Sequence, residues 1–196
     1  MSTIKTTNIT HGSNSGTANM VLASDGKVTI PEKKLYCPGA VVQVVFASKT
    51  DAGGPWTSSA WADSGLEATI TPTASTSKIL IQAVPNLSWD NAATKMGTAI
   101  FKGSESDPLF RGDVRNSNLR VHSGFYIPVA NYTPLPFPMD YLDSPGTTSA
   151  TTYKVRVYNV NAAGNLYINR PSDVDGTTAS ELICASTMVL MEIAGV

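Results

Sequence analysis

Three short apolar runs constrain the fold of this chain more than any other feature. They are Ala40-Val41-Val42-Gln43-Val44-Val45-Phe46, Ile79-Leu80-Ile81-Gln82-Ala83-Val84 and Met188-Val189-Leu190-Met191-Glu192-Ile193. Each is short, mostly β-branched or aliphatic, and bounded by turn formers, so each is expected to be a strand. None approaches the roughly twenty apolar residues of a membrane span, so no membrane insertion is expected. Elsewhere the pattern alternates. Leu66, Ala68 and Ile70 are spaced by Glu67 and Thr69, and Tyr153, Val155 and Val157 by Lys154 and Arg156. Such alternation marks strands with one wet face. Gly164 to Asn169 reads as a further short strand. Met96 to Phe101 and Leu109 to Arg111 read as a hairpin around Gly103–Pro108. Leu135 to Leu142 reads as a strand whose start is held to a sheet edge by Pro134, Pro136 and Pro138, because proline cannot donate to a ladder. The expected fold is an all-β antiparallel sandwich.

The continuous runs ask for burial on both faces, and an antiparallel sandwich supplies one. A second copy of the chain is the economical cover for the other face. Val42, Val44, Phe46, Leu80, Met188, Leu190 and Met191 are therefore the candidate contacts between copies. The alternative is a thick core covered by the N-terminal arm. That arm, residues 1–36, is polar and punctuated by Gly12-Ser13-Asn14-Ser15-Gly16. It carries one hairpin signal, Ser24-Asp25-Gly26-Lys27 between Met20-Val21-Leu22 and Val28-Thr29-Ile30. Residues 37–196 form the expected head domain.

Charge narrows the function. Charged residues are 15% of the chain, against roughly 25% in an average domain. A formal net charge of −1 and a pI near 6.1 do not make a nucleic-acid surface. The first twenty residues hold no apolar signal-peptide core, so synthesis in a cytoplasm is expected. Cys37 and Cys184 are then expected to be free thiols.

Catalytic and metal patterns are weak. Asp63, Glu67, Asp90, Asp140 and Asp143 form no spaced pair for glycoside hydrolysis. Asp143, before Ser144-Pro145, reads as a turn former. His11 and His122 are the only histidines, and no Gly-x-Ser-x-Gly elbow is present. Asp173-Val174-Asp175-Gly176 with Glu181 has wrong spacing for a calcium loop, and a lone His122 would ligate a metal only on a symmetry axis. No metal and no cofactor is expected. Arg111-Gly112-Asp113 reads as a strand end. Recognition by loops fits better, with aromatic faces stacking on sugars and polar groups bonding hydroxyls. The candidates are Trp89, Asp90 and Asn91, and the polar stretch with Arg111, Arg115, Asn116, Asn118, Arg120, His122 and Tyr126. Trp56 and Trp61 are open to either role, binding or core.

Tyr141-Leu142-Asp143-Ser144-Pro145-Gly146-Thr147-Thr148-Ser149-Ala150-Thr151-Thr152-Tyr153-Lys154-Val155 resembles a motif near the C-termini of bacteriophage fibre proteins. Leu166 to Arg170 and Ala185 to Ala194 resemble its continuation, and Cys37 to Val45 and Thr76 to Ile81 its opening strands. The arm, Ile9-Thr10-His11 and Gly16 to Leu22, is similar to segments preceding such domains in phages of marine bacteria. The resemblance implies a tumour-necrosis-factor-like jelly roll, homotrimeric, on a virion as a fibre or tail-appendage head. It implies a non-catalytic part in attachment to a host surface glycan or outer-membrane protein. It also implies docking of the arm, through Ile9, His11, Met20, Val21 and Leu22, on another virion protein. Such domains usually end longer fibres. This chain starts at Met1 with a short arm, which raises a capsid or tail decoration protein as an alternative. A surface-polysaccharide hydrolase is a second alternative.

Overall fold

The computed structural model describes residues 6–9, 20–29, 38–91, 94–126, 131–172 and 182–195. Among the described residues there are fifteen strands and no helix. β1 (Asn8–Ile9), β2 (Met20–Leu22) and β3 (Val28–Thr29) form a small sheet in that order. The expected Asp-Gly turn joins β2 to β3. Gly26 takes φ +82°, and the Lys27 amide donates to Asp25 Oδ1 at 3.1 Å. Ile9 is exposed and Met20, Val21 and Leu22 are half-buried, while His11 lies outside the described residues.

The other strands follow in chain order. They are β4 (Val41–Lys49), β5 (Gly53–Trp56), β6 (Trp61–Ile70), β7 (Lys78–Val84), β8 (Asn86–Trp89) and β9 (Lys95–Lys102). Then come β10 (Ser123–Tyr126), β11 (Asn131–Pro136), β12 (Met139–Asp143), β13 (Thr151–Asn159), β14 (Leu166–Ile168) and β15 (Ser186–Ile193). They make three antiparallel sheets, ordered β12-β7-β15-β4, β11-β8-β14-β5 and β10-β9-β13-β6. The first two sheets follow the chain in the same order, and β4–β5, β7–β8 and β11–β12 each pass from one into the other at a shared corner. The proline-bearing β11 is an edge strand, as its missing donors require.

The third sheet faces both of the others. Leu66, Ala68, Ile70, Ile79, Ile81, Tyr153, Val155, Met188 and Leu190 belong to one buried cluster. Leu87, Trp89, Met96, Val157, Leu166 and Ile168 belong to a second. β13 contributes to both, with Tyr153, Val155 and Val157 all fully buried. The arrangement is all-β and consistent with a β-sandwich.

The three apolar runs alternate after all. Met188 and Leu190 are 0% exposed inside one chain, so they are core residues and not contacts between copies. Val44, Phe46, Leu80 and Met191 point the other way. Met191 lies opposite Val44 on one side and Leu80 on the other, and Leu80 lies opposite Leu142. Directly opposed residues share a face. This outer row is left open, with Val44 at 58%, Phe46 at 64% and Leu142 at 46% exposure. Val42 sits at a register shift, where Glu192 pairs Gln43 and Ile193 pairs Val41. The strand buried along nearly its whole length is β9, whose Gly97, Ala99 and Phe101 are covered as well as Met96 and Ile100. The expected hairpin partner of β9 also differs. Leu109 gives it only one backbone bond, to Ile100 at 2.9 Å, and the paired strand is β10.

Asn169 stitches the corner. It is fully buried with φ +63°, a conformation asparagine tolerates better than most residues. Its Nδ2 donates to the carbonyls of Lys49 (2.7 Å) and Asp51 (3.0 Å), and its Oδ1 accepts from Ser186 Oγ (2.6 Å). Ser186 Oγ in turn accepts from the Asn86 amide at 2.9 Å. One amide thus ties the β4–β5 and β7–β8 bends to the residue after β14 and to the first residue of β15. A second clamp holds the far end of β15. Glu192 accepts from the Thr73 amide (2.7 Å), Thr73 Oγ1 (2.6 Å) and Gln43 Nε2 (2.5 Å). Burial pushes the Glu192 carboxyl up, but hydrogen bonds from Thr73, Ser77 and Gln43 outweigh it and hold it below its ordinary value.

Two outcomes follow from these clamps. Asn169→Ala strands the buried Lys49 carbonyl, the part-buried Asp51 carbonyl and the Ser186 hydroxyl, so it is expected to cost about 2–4 kcal/mol in urea unfolding. A loss under about 1 kcal/mol would show that the corner does not depend on this amide. The Glu192 clamp contributes stability in full above its ordinary value of 4.5, and that contribution is lost as pH falls below 4.5 through the depressed folded value. Glu192→Gln is therefore expected to flatten the acid limb of a melting-temperature profile. An unchanged limb would remove Glu192 from it.

Candidate functional site

The longest irregular excursion among the described residues connects β9 to β10. It leaves β9 at Gly103, where φ is +56°. Phe110 then stacks on Tyr141 at 5.4 Å and meets the His122 ring edge-on at 5.1 Å. Arg111 is held by both Asp107 oxygens at 2.5 and 3.0 Å. Arg120 Nε donates to the Gly112 carbonyl at 2.6 Å, and the Gly112 amide donates to the Val121 carbonyl at 3.3 Å. These bonds close the excursion at its neck. Its tip is exposed from Gly112 to Leu119 and carries Arg115, Asn116 and Asn118. The turn at the tip uses Asn116 at φ +54° and a 3.3 Å bond from the Asn118 amide to the Arg115 carbonyl.

Below the tip, Val121 settles on two glycines. Gly97 of β9 and Gly124 of β10 are paired in register, and a Cβ on Gly97 would collide with Val121 Cγ1. Next to them Tyr126 is 55% exposed, with the Lys95 ammonium 5.4 Å from its ring centroid. The tip, Val121 and this strand edge enclose a cleft of about 440 Å³.

The sequence-predicted residues divide accordingly. Arg111, Arg120 and His122 shape the neck, Arg115, Asn116 and Asn118 lie on the tip, and Tyr126 lies in the cleft wall. Burial pushes the His122 imidazole below its ordinary value, against the pull of the Asp140 charge, and its Nδ1 is buried without a hydrogen bond. Among the described residues no cluster of three His, Cys, Asp or Glu side chains could hold a metal. The residues of the suspected calcium loop, Asp173, Asp175, Gly176 and Glu181, lie outside the described residues.

Trp89 and Asp90 do not form a binding loop. Trp89 is 1% exposed in the second core cluster, because it sits on β8 opposite Leu166. Asp90 straps β8 to the turn before β14, accepting from the Asn165 amide (2.8 Å), Asn165 Nδ2 (2.5 Å) and Tyr167 Oη (3.4 Å). Asn91 alone of that trio is exposed. Trp56 packs against the second cluster, and Trp61 lies edge-on to Phe101 and Tyr158 at 5.0 and 5.3 Å. Asp143 ends β12 buried, and its Oδ2 accepts the Tyr153 hydroxyl at 2.7 Å. Asp63 receives Arg156 at 2.5 Å and Lys154 at 3.4 Å. Cys184 carries a free thiol, and Cys37 lies outside the described residues.

Lys95, Leu119, Val121 and Phe125 were not among the sequence candidates. The available signal was glycine within apolar surroundings, at Gly97 and Gly124, which marks a close approach. Gly97→Ala should dislodge Val121 and loosen the excursion. Tryptic cleavage after Arg115 is then expected to accelerate several-fold; an unchanged rate would separate Val121 from the tip's order.

Comparison with protein-family models matches none of them to this chain, and the curated protein sequences yield no match.

Proposed function

We propose that this chain is the head of a homotrimeric phage appendage that attaches to a host surface without covalent chemistry. The observation that carries the proposal is the contrast between its two outer faces. On β6 and β13 the outward residues pair in charge: Asp63 with Arg156 and Lys154, and Glu67 with Lys154. On β4, β15, β7 and β12 they include an apolar row of Val44, Phe46, Val189, Met191, Leu80 and Leu142, with polar Gln82 and Asp140 beside it. A contiguous exposed apolar face is an association surface. A second copy is its natural occupant, because closed symmetry lets the same patch cover itself around an axis. Three copies follow from the resemblance to phage fibre heads. The strand orders support a jelly roll as well. Apart from β9 and β10, which are neighbours in one sheet, successive segments alternate between the sheet β12-β7-β15-β4 and the sheet β10-β9-β13-β6, as a jelly roll would require.

In this reading the arm of residues 1–36 docks on another virion protein, and the exposed tip of the β9–β10 excursion meets host glycan or outer-membrane protein. Weak sites repeated on a trimer, and trimers repeated on a particle, turn short-lived contacts into durable attachment. Three of the acidic candidates support a non-catalytic part: Asp63, Asp90 and Asp143 are engaged by neighbouring side chains.

Light scattering tests the assembly. The expected species has three times the 20.7 kDa chain mass, and Phe46→Asp should reduce it to one chain with an unchanged circular dichroism spectrum. A wild-type monomer would overturn the trimer. Attachment is tested with labelled protein at micromolar concentration, which should bind susceptible cells and compete with infection. If it does neither, attachment fails and a decoration role gains.

A further inference from the structure

We propose that the cleft between the excursion tip and the β9–β10 edge binds a saccharide that carries a carboxylate. The cleft is concave and, at about 440 Å³, lies within the size range of small-molecule sites. Its floor is apolar, from Leu119, Val121 and Phe125. Its wall includes the half-exposed Tyr126 ring, a surface on which the C–H face of a pyranose can stack. Asn118 brings an amide that can donate to and accept from sugar hydroxyls. Among the described residues Lys95 is the one charged residue of the lining, and none of them that lines the cleft is acidic. An aromatic face, an amide and one uncompensated cation match a uronic-acid type of ring better than a neutral one. A charge-assisted bond from the Lys95 ammonium to the carboxylate would supply the preference.

The site is built from the fold. Gly97 and Gly124 admit Val121 against the strand edge, so the floor is fixed by the sheet. The Lys95 ammonium lies over the Tyr126 ring at 5.4 Å from its centroid, so cation and ring lie within reach of one ligand, and a sugar stacking on that face would draw the ammonium to its carboxylate. This inference rests on the attachment reading only for the origin of the saccharide.

Saturation-transfer NMR on the full chain separates the possibilities, with methyl glucuronide and methyl glucoside as probes. The two share a ring and differ at the carboxylate. The glucuronide is expected to bind about tenfold tighter at low salt. Lys95→Gln should abolish that preference, and Tyr126→Ala should remove binding of both. Equal binding of the two sugars, no binding of either, or unchanged transfer in folded Tyr126→Ala would each overturn the proposal. Cell binding is scored in parallel. Cells bound equally by wild type and Tyr126→Ala would sink the cleft and leave attachment standing. Glucuronide bound in solution by a protein that ignores cells would do the reverse.

Discussion

The fold depends on chain segments turning the same corner together. β4–β5, β7–β8 and β11–β12 each leave one sheet and enter the next, and at such a bend the ladder hydrogen bonds are interrupted. Buried carbonyls and amides there need other partners, because leaving them bare costs about as much as the sheet gains nearby. Asn169 resolves this with one side chain. Its amide caps the carbonyls of Lys49 and Asp51 while its oxygen takes the Ser186 hydroxyl. Its own backbone is spanned too, donating to Asn86 and accepting from Cys184, both at 2.9 Å. The corner keeps the two halves of the long layer in one register, and that register lets β13 fill both core clusters with one row of Tyr153, Val155 and Val157.

A chain with 15% charged residues has few ions to distribute. Asp63 and Glu67 on β6 pair with Lys154 and Arg156 on β13, and Arg156 also lies over the Phe101 ring at 4.6 Å. The outer face of β4 and β15 has almost none. Exposed ion pairs contribute little to stability, roughly 0–1 kcal/mol each. Their effect is on solubility, since a face carrying them stays wet while a face of Val44, Phe46 and Met191 gains by being covered. The asymmetry between the two faces therefore bears on assembly more than on folding.

The sequence carried much of this in its periodicity. Alternation at Leu66-Ala68-Ile70 and Tyr153-Val155-Val157 identified inward residues one by one, because side chains on a strand change face at each step. The same rule was hidden in the continuous runs, where both faces are apolar and the pattern no longer tells Met188 from Met191. Only pairing with Val44 and Leu80 on one side and burial of Leu190 on the other distinguishes them. Trp89 misled for a related reason. Flanked by Ser88, Asp90 and Asn91 it reads as a polar loop, yet the neighbours are polar because they hold backbone. Ser88 donates to the Arg170 carbonyl at 2.7 Å, and Asp90 holds Asn165. Ser123-Gly124-Phe125-Tyr126 was missed as a strand because four residues carry too little period to register. The exposure of Arg115, Asn116 and Asn118 was legible, since a dense polar stretch cannot repay burial. The cleft beneath them was not, because it arises from two glycines brought together across strands.

The proposed assembly face and the proposed saccharide cleft lie on different sheets. The open apolar row lies on β4, β15, β7 and β12. The cleft lies at the edge formed by β9 and β10, which belong to the opposing sheet. Covering one face with another copy therefore does not consume the lining of the other site. The core couples the two surfaces without merging them. β9 is packed along both faces, by Met96 and Ile100 within and by Trp61 and Val121 without. A strand held on both sides is a stiff support, and Lys95 and Tyr126 stand at its end, where stiffness keeps a cation and a ring at a fixed separation. The tip above them is bound at its neck by Arg120 and Gly112 but carries exposed Arg115, Asn116 and Asn118. If the proposed cleft binds a saccharide, change in those tip residues would alter the ligand while the two glycines, Val121 and the core preserve the cleft itself.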